Sequence, residues 1–172
     1  HMISSSKQRF TLFILTMAPF SVASAQPLVQ ETITKTLQDY RQLEPKQPFS
    51  DLIEFMQLGC NKEGEATIGI AYRQIESFKP ITGVVIVERQ PDGFLLRSAT
   101  FPDIKKIKNG KNRRQVEAIV KPVQNIPFDP HSGKRAVNTV SSATRYGAKA
   151  LNYFNYMARR VALEIEKHNQ SL

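Results

Sequence analysis

Apolar residues recur along this chain with two periods, and the switches between them mark its elements. From residue 29 to 41, Ile33, Leu37 and Tyr40 return at helical spacing, which predicts a first helix. The run Glu44-Pro45-Lys46-Gln47-Pro48 breaks it. Ser50 is placed to cap a short second helix over residues 51–58, with Leu52, Phe55 and Met56 on one face and Gly59 after its end. After an Asn61-Lys62-Glu63-Gly64 turn the period drops to two. Residues 65–73 predict a strand with Ile68, Ile70 and Tyr72 on one face.

The strongest strand signal is residues 81–89, where Val84, Val85, Ile86 and Val87 follow without interruption. A continuous apolar run implies burial on both faces. The turn Gln90-Pro91-Asp92-Gly93 returns the chain antiparallel through residues 94–100. A further strand is expected over 115–123, where Val116, Ala118 and Val120 alternate with Glu117, Ile119 and Lys121. Residues 124–135 carry Pro127, Pro130 and Gly133 and predict an irregular connection. The chain then closes on a long helix over 143–167, with Tyr146, Ala150, Phe154, Met157, Val161 and Ile165 at spacings of three and four.

Helices at the two ends with strands between them predict an α+β fold rather than alternating βαβ units. The expected architecture is an antiparallel sheet of about four strands, two short N-terminal helices, and a long C-terminal helix packed on the sheet.

Composition adds a compartment. The chain has 172 residues, 41% of them hydrophobic, enough for one domain with a core. His1-Met2 resembles a cloning remnant. Behind it stand the parts of a secretory signal in order: Lys7 and Arg9, an apolar run from Phe10 to Phe20, and Ala23-Ser24-Ala25 for cleavage. Residues 1–25 are therefore expected to be removed, leaving one domain over 26–172 in the periplasm or outside the cell. The apolar run falls short of the roughly 20 residues that span a bilayer. Cys60 is the one cysteine, so no disulfide forms within the chain, and it is expected to be a buried apolar residue.

The formal charge is +9, and residues 1–25 hold only Lys7 and Arg9 of it, so the processed chain stays basic. For an exported protein this points to anionic lipid, an acidic protein or a phosphate ligand rather than nucleic acid. Six of the cations fall between Lys105 and Arg114, around Asn109-Gly110. This segment is expected to form an exposed hairpin tip, either simply solvated or docking on an acidic surface or a membrane.

The chemistry of catalysis is thin. There is no Gly-x-Ser-x-Gly, no phosphate loop of Walker or Rossmann type, and no His or Cys at zinc spacing around His131. One stretch stands out: Asn138-Thr139-Val140-Ser141-Ser142-Ala143-Thr144, followed by Arg145 and the last helix. A serine oxygen at a helix start accepts from a free backbone N–H, and the positive end of the helix favours an anion such as phosphate. Arg145 sets a permanent cation beside it, and Thr144 adds a hydroxyl.

The same stretch resembles the Asp-x-x-Ser-Gly-Ala-Thr motif of the FMN-binding domain found in flavoprotein subunits of Rnf and sodium-pumping quinone reductase type. Ser141, Ala143 and Thr144 match, while Asn138 stands for the acid and Ser142 for the glycine. Residues 81–88 are similar to that family's central strand. The resemblance implies an exported FMN-binding protein of electron-transfer type, with Ser141, Ser142, Ala143, Thr144 and Arg145 around the flavin phosphate. In the family the final Thr often carries FMN through a phosphoester. Replacing the motif's acid and glycine favours non-covalent binding here. If the altered motif no longer holds the cofactor, the chain is a periplasmic binding or interaction module without catalysis.

Overall fold

The two longest strands pair in the middle of the sheet, and the rest of the chain is arranged around them. The computed structural model describes residues 26–138 and 145–172. The expected signal segment, and Ser141, Ser142, Ala143 and Thr144 of the motif, lie outside the described residues. Strands β3 (Ala66–Ile75) and β4 (Ile81–Gln90) run antiparallel, from Ile68 opposite Glu88 to Ile75 opposite Ile81. Around them β1 (Arg41–Gln42), β2 (Phe55–Cys60), β5 (Gly93–Thr100) and β6 (Gln124–Phe128) complete one six-stranded antiparallel sheet in sequence order.

The pleat divides the apolar residues between two layers. Ile68, Ile70 and Tyr72 of β3, with Phe55 and Val84, face α1 (Pro27–Leu37) and meet its Val29, Ile33 and Leu37. The opposite face carries Met56, Leu58, Ala71, Val85 and Val87, and packs against α3 (Gly147–Gln170). That helix has 24 residues, about 36 Å at about 1.5 Å per residue, so it crosses the sheet. Its Phe154 and Val161 lie over Gly83 and Gly69, where a Cβ would come within 2.9 Å and 2.4 Å of them. The two glycines let a helix backbone settle onto a sheet that would otherwise hold it off.

The architecture is α+β, with one antiparallel sheet and a long C-terminal helix packed on it, but with six strands rather than four. Two elements differ in kind. Residues 51–58 were expected as a helix. Ser50 does what a cap does, its Oγ accepting from Leu52 N–H (3.3 Å) and Ile53 N–H (3.1 Å), yet the turn does not propagate. Residues 55–60 instead form β2, buried at every position, because they fill a place between β1 and β3. A fully buried strand lacks the alternation that would distinguish it from a helix.

Residues 115–123 were expected as a strand, and the basic segment before them as a hairpin tip. The chain there forms a 3₁₀ turn (Ile104–Lys106) and then α2 (Gly110–Val120). Asn109 caps α2, its side chain accepting from Asn112 N–H at 3.0 Å. The buried residues are Val116 and Ile119, three apart, which is a helical spacing that alternation conceals. Part of the expected irregular connection, residues 124–128, forms the edge strand β6. The last helix starts at Gly147 rather than Ala143, with Tyr146 and not a serine at the N-cap position. Cys60 is buried, as expected. Among the described residues no helix is long and apolar enough to cross a membrane.

Candidate functional site

The motif segment is described only at its flanks, and both flanks are fixed. On the N-terminal side Val137 is buried, and Asn155 of α3 grips it by accepting from its N–H at 2.8 Å and donating to its carbonyl at 2.9 Å. On the C-terminal side Tyr146 meets Phe78 edge-on, with ring centroids 5.1 Å apart. Phe78 belongs to the connection between β3 and β4. Residues 139–144 therefore join two points that are held on α3 and against the β3–β4 connection.

Arg145 is the one residue of the expected site that is described. It is exposed, with its guanidinium 5.4 Å from the Tyr146 ring. One turn further along α3, Lys149 forms an ion pair with Glu76. The hydrogen bond from Lys149, and then its charge, hold the Glu76 carboxyl below the usual carboxylate range, and Arg145 adds to the effect. The same contact raises Lys149 above the usual lysine range. Across a cleft of about 290 Å3 lies Arg73, at the end of the β3 face that otherwise reads Gly69, Ala71 and Ile75. Its guanidinium sits 3.6 Å from the centre of the Tyr153 ring and donates to the Leu52 carbonyl at 3.0 Å. Its Nε also donates to the Gln74 carbonyl at 2.9 Å, so stacking and two backbone contacts fix the guanidinium and leave one terminal nitrogen without a partner among the described residues.

Two further features belong to this end of the sheet. Ser77, next to Phe78, has a buried Oγ without a hydrogen-bond partner among the described residues. Buried hydroxyls are normally satisfied, so an orphan beside a site calls for a partner. Among the described residues the first turn of α3 carries no acid and no side-chain cap, and the positive end of the helix dipole lies there. The arrangement suits an anionic group.

A second cleft, about 700 Å3, opens on the α1 side of the same sheet end, and Glu54, Gln74 and Pro80 line both. Tyr72 lies on its floor, stacked on Phe55 with centroids 5.0 Å apart. Burial, and then the charge of Glu54, push the Tyr72 phenol up, against a hydrogen bond from Gln47 at 3.3 Å. Elsewhere His131 pairs with Glu166 of α3 at 2.6 Å.

The sequence thus marked the segment and Arg145 but missed Arg73, Glu76, Ser77, Lys149 and Tyr153. Lys149 was within reach of inspection, four residues after Arg145 and so on the same face of the helix expected from residue 143, although α3 begins only at Gly147. Arg73 was legible only as a charge interrupting an apolar strand face, and Glu76 and Ser77 carry no local signal. No protein-family model, curated protein or solved structure matches this chain.

Proposed function

We propose that this chain is an exported FMN-binding protein of electron-transfer type that holds the flavin phosphate where the Ser141-Ser142-Ala143-Thr144 segment meets the start of α3. One observation carries the reading: Arg145 before α3, Lys149 in its first turn and Arg73 on a strand far away in sequence gather around the flank of the segment that resembles an FMN motif. The first turn of α3 supplies N–H donors at the same end of the sheet, and Ser77 has a hydroxyl without a partner among the described residues. FMN, when bound, supplies the redox chemistry, and the protein's part is to bind and orient it. Arg145 and Lys149 neutralise the phosphate, the stacked Arg73 adds a third positive charge, and Ser141, Ser142 and Thr144 bring hydroxyls from the adjoining segment. Binding is non-covalent, since Asn138 and Ser142 replace the acid and glycine of the resembling motif.

A second reading, a binding or interaction module that has lost the cofactor, is favoured by the ion pair itself, because Glu76 already occupies Lys149. Titration with FMN, followed by quenching of flavin fluorescence, separates the two. Saturable binding that weakens about tenfold or more in Arg145→Ala and in Lys149→Ala supports the first reading, as each removes a charge-assisted contact. No uptake of FMN by the exported protein leaves the second. Flavin fluorescence that survives a denaturing gel and vanishes in Thr144→Ala would show a covalent bond instead.

A further inference from the structure

The densest run of cations in the sequence is one that the candidate site does not use. From the 3₁₀ turn through α2, the cations Lys105, Lys108, Lys111, Arg113, Arg114 and Lys121 stand within 17 positions, with Glu117 the one acid among them. None of the six lies within ion-pair distance of a carboxylate among the described residues. Elsewhere among the described residues Lys35, Lys46, Arg89, Arg97, Lys149 and Arg160 each have an acid, and the cations without one, such as Arg41, Lys62, Lys79 and Lys167, are scattered along the chain; it is the density of this run that sets it apart.

The local structure does not account for them. Lys111 and Arg113 occupy the first turn of α2, where the helix dipole is positive and acids are favoured, and no acid is there. The segment is nonetheless held firmly. Val116 and Ile119 are buried in the core, and Lys106 pairs at 3.2 Å with the buried Asp103. Asp103 in turn accepts from the Thr82 N–H and hydroxyl on β4 at 2.9 Å and 3.0 Å. The cations are thus presented on a fixed platform.

We propose that the outer face of the 3₁₀ turn and α2 is a docking surface for an anionic phospholipid headgroup layer. An acidic protein is the other candidate, but a protein interface is centred on buried aromatic or apolar anchors. The large exposed hydrophobics of the described residues are Leu28, Leu52 and Leu172, none of them here. A layer of lipid phosphates needs no such anchor: polybasic segments adhere to it through summed charge alone. The partner is therefore a surface, bound reversibly and in a salt-dependent way.

The test is partition of the full chain onto vesicles, either pure phosphatidylcholine or phosphatidylcholine with phosphatidylglycerol. Comparing variants that share residues 1–25 cancels any contribution from that apolar segment. The wild type should partition to the anionic vesicles and be released at about 1 M salt, where the Debye length falls to about 3 Å. Lys111→Glu/Arg114→Glu/Lys121→Glu should bind about 100-fold more weakly or worse. Lys35→Glu/Lys62→Glu/Lys167→Glu makes the same change in net charge elsewhere and should bind nearly as well as wild type. Lys105→Gln/Lys108→Gln, outside the helix, should weaken binding without touching α2. Equal loss in both triple variants would reduce the effect to net charge and overturn the proposal. So would equal partition to neutral vesicles, or binding to soluble polyglutamate without binding to vesicles, which would assign the face to an acidic protein.

Discussion

One glycine and one ion pair show how much single residues decide here. Gly83 sits beneath Phe154, and a Cβ there would lie 2.2 Å from Ile75 Cδ1 and 2.9 Å from Phe154 Cε1. Both neighbours are fully buried and have little room to move. Gly83→Ala should therefore destabilise the fold by about 1–3 kcal/mol, read as a lower urea midpoint with an unchanged slope. An unchanged midpoint would mean that α3 does not press on β4 as described. At the candidate site, the Glu76 carboxyl is held down by Lys149, so its contribution exists above the ordinary carboxylate range and is lost as pH falls through its own lowered pKa. Lys149 mirrors it: raised, it contributes below the ordinary lysine range and loses the contact as pH climbs through its raised pKa. The pair is intact across neutral pH. Both groups are exposed, so the effect belongs in a carbon NMR titration rather than in a melting curve. The Glu76 midpoint should move up in Lys149→Met, and also when FMN is added, because the phosphate competes for Lys149. A midpoint indifferent to Lys149→Met would show that the pair does not persist in solution.

At the scale of elements, the hydrophobic pattern announced five of the nine strands and α-helices of the described residues in kind: α1, β3, β4, β5 and α3. These have either a clean period of two or a long helical stripe. The failures came where burial erased the pattern or where two periods fit. The buried run of β2 satisfied a helix as well as a strand, and Val116-Ala118-Val120 imitated a strand although the core takes Val116 and Ile119. Strands β1 and β6 went unseen because their residues are mostly exposed, and pairing alone defines them. The candidate site was legible only as the motif and Arg145, since its other cations come from β3 and the body of α3. Element α2 also sets two of its properties against each other. Asn109→Ala should cost about 1 kcal/mol by removing the cap. Lys111→Glu should raise stability by about 0.3–1 kcal/mol by relieving a cation at the positive helix end. The same substitution should weaken adhesion to anionic vesicles. Thermal melts beside vesicle partition would show whether stability and adhesion move in opposite directions, and parallel changes would refute the idea that these cations serve a surface rather than the helix.

Across the whole molecule, one sheet carries helices on both faces, and its strands differ sharply in cover. Strands β3 and β4 have ten residues each, pair on both sides, and lie between α1 and α3. The edges are guarded differently. Strand β1 has two residues, and β6 carries Pro127, which has no N–H to offer, and Asn125 at φ 52°. Short edges and prolines discourage pairing with another chain, and they are also the places where a sheet opens first. Helix α1 has 11 residues and buries only Val29, Ile33 and Leu37, whereas α3 buries ten of its 24. Amide hydrogen exchange under native conditions should therefore fall into tiers. The amides of Ile70, Ala71, Val84 and Val85 should exchange only by global unfolding, with α3 from Phe154 to Ile165 in the same class. Those of α1, β1 and β6 should exchange earlier, through local opening. Leu37→Ala, which removes a fully buried side chain, should cost about 2–5 kcal/mol if α1 is part of the cooperative unit. A much smaller cost, together with fast exchange in α1, would mean that the sheet and α3 hold together without it. Slow exchange throughout α1 would reverse that order and make the α1 face as central to the fold as the α3 face.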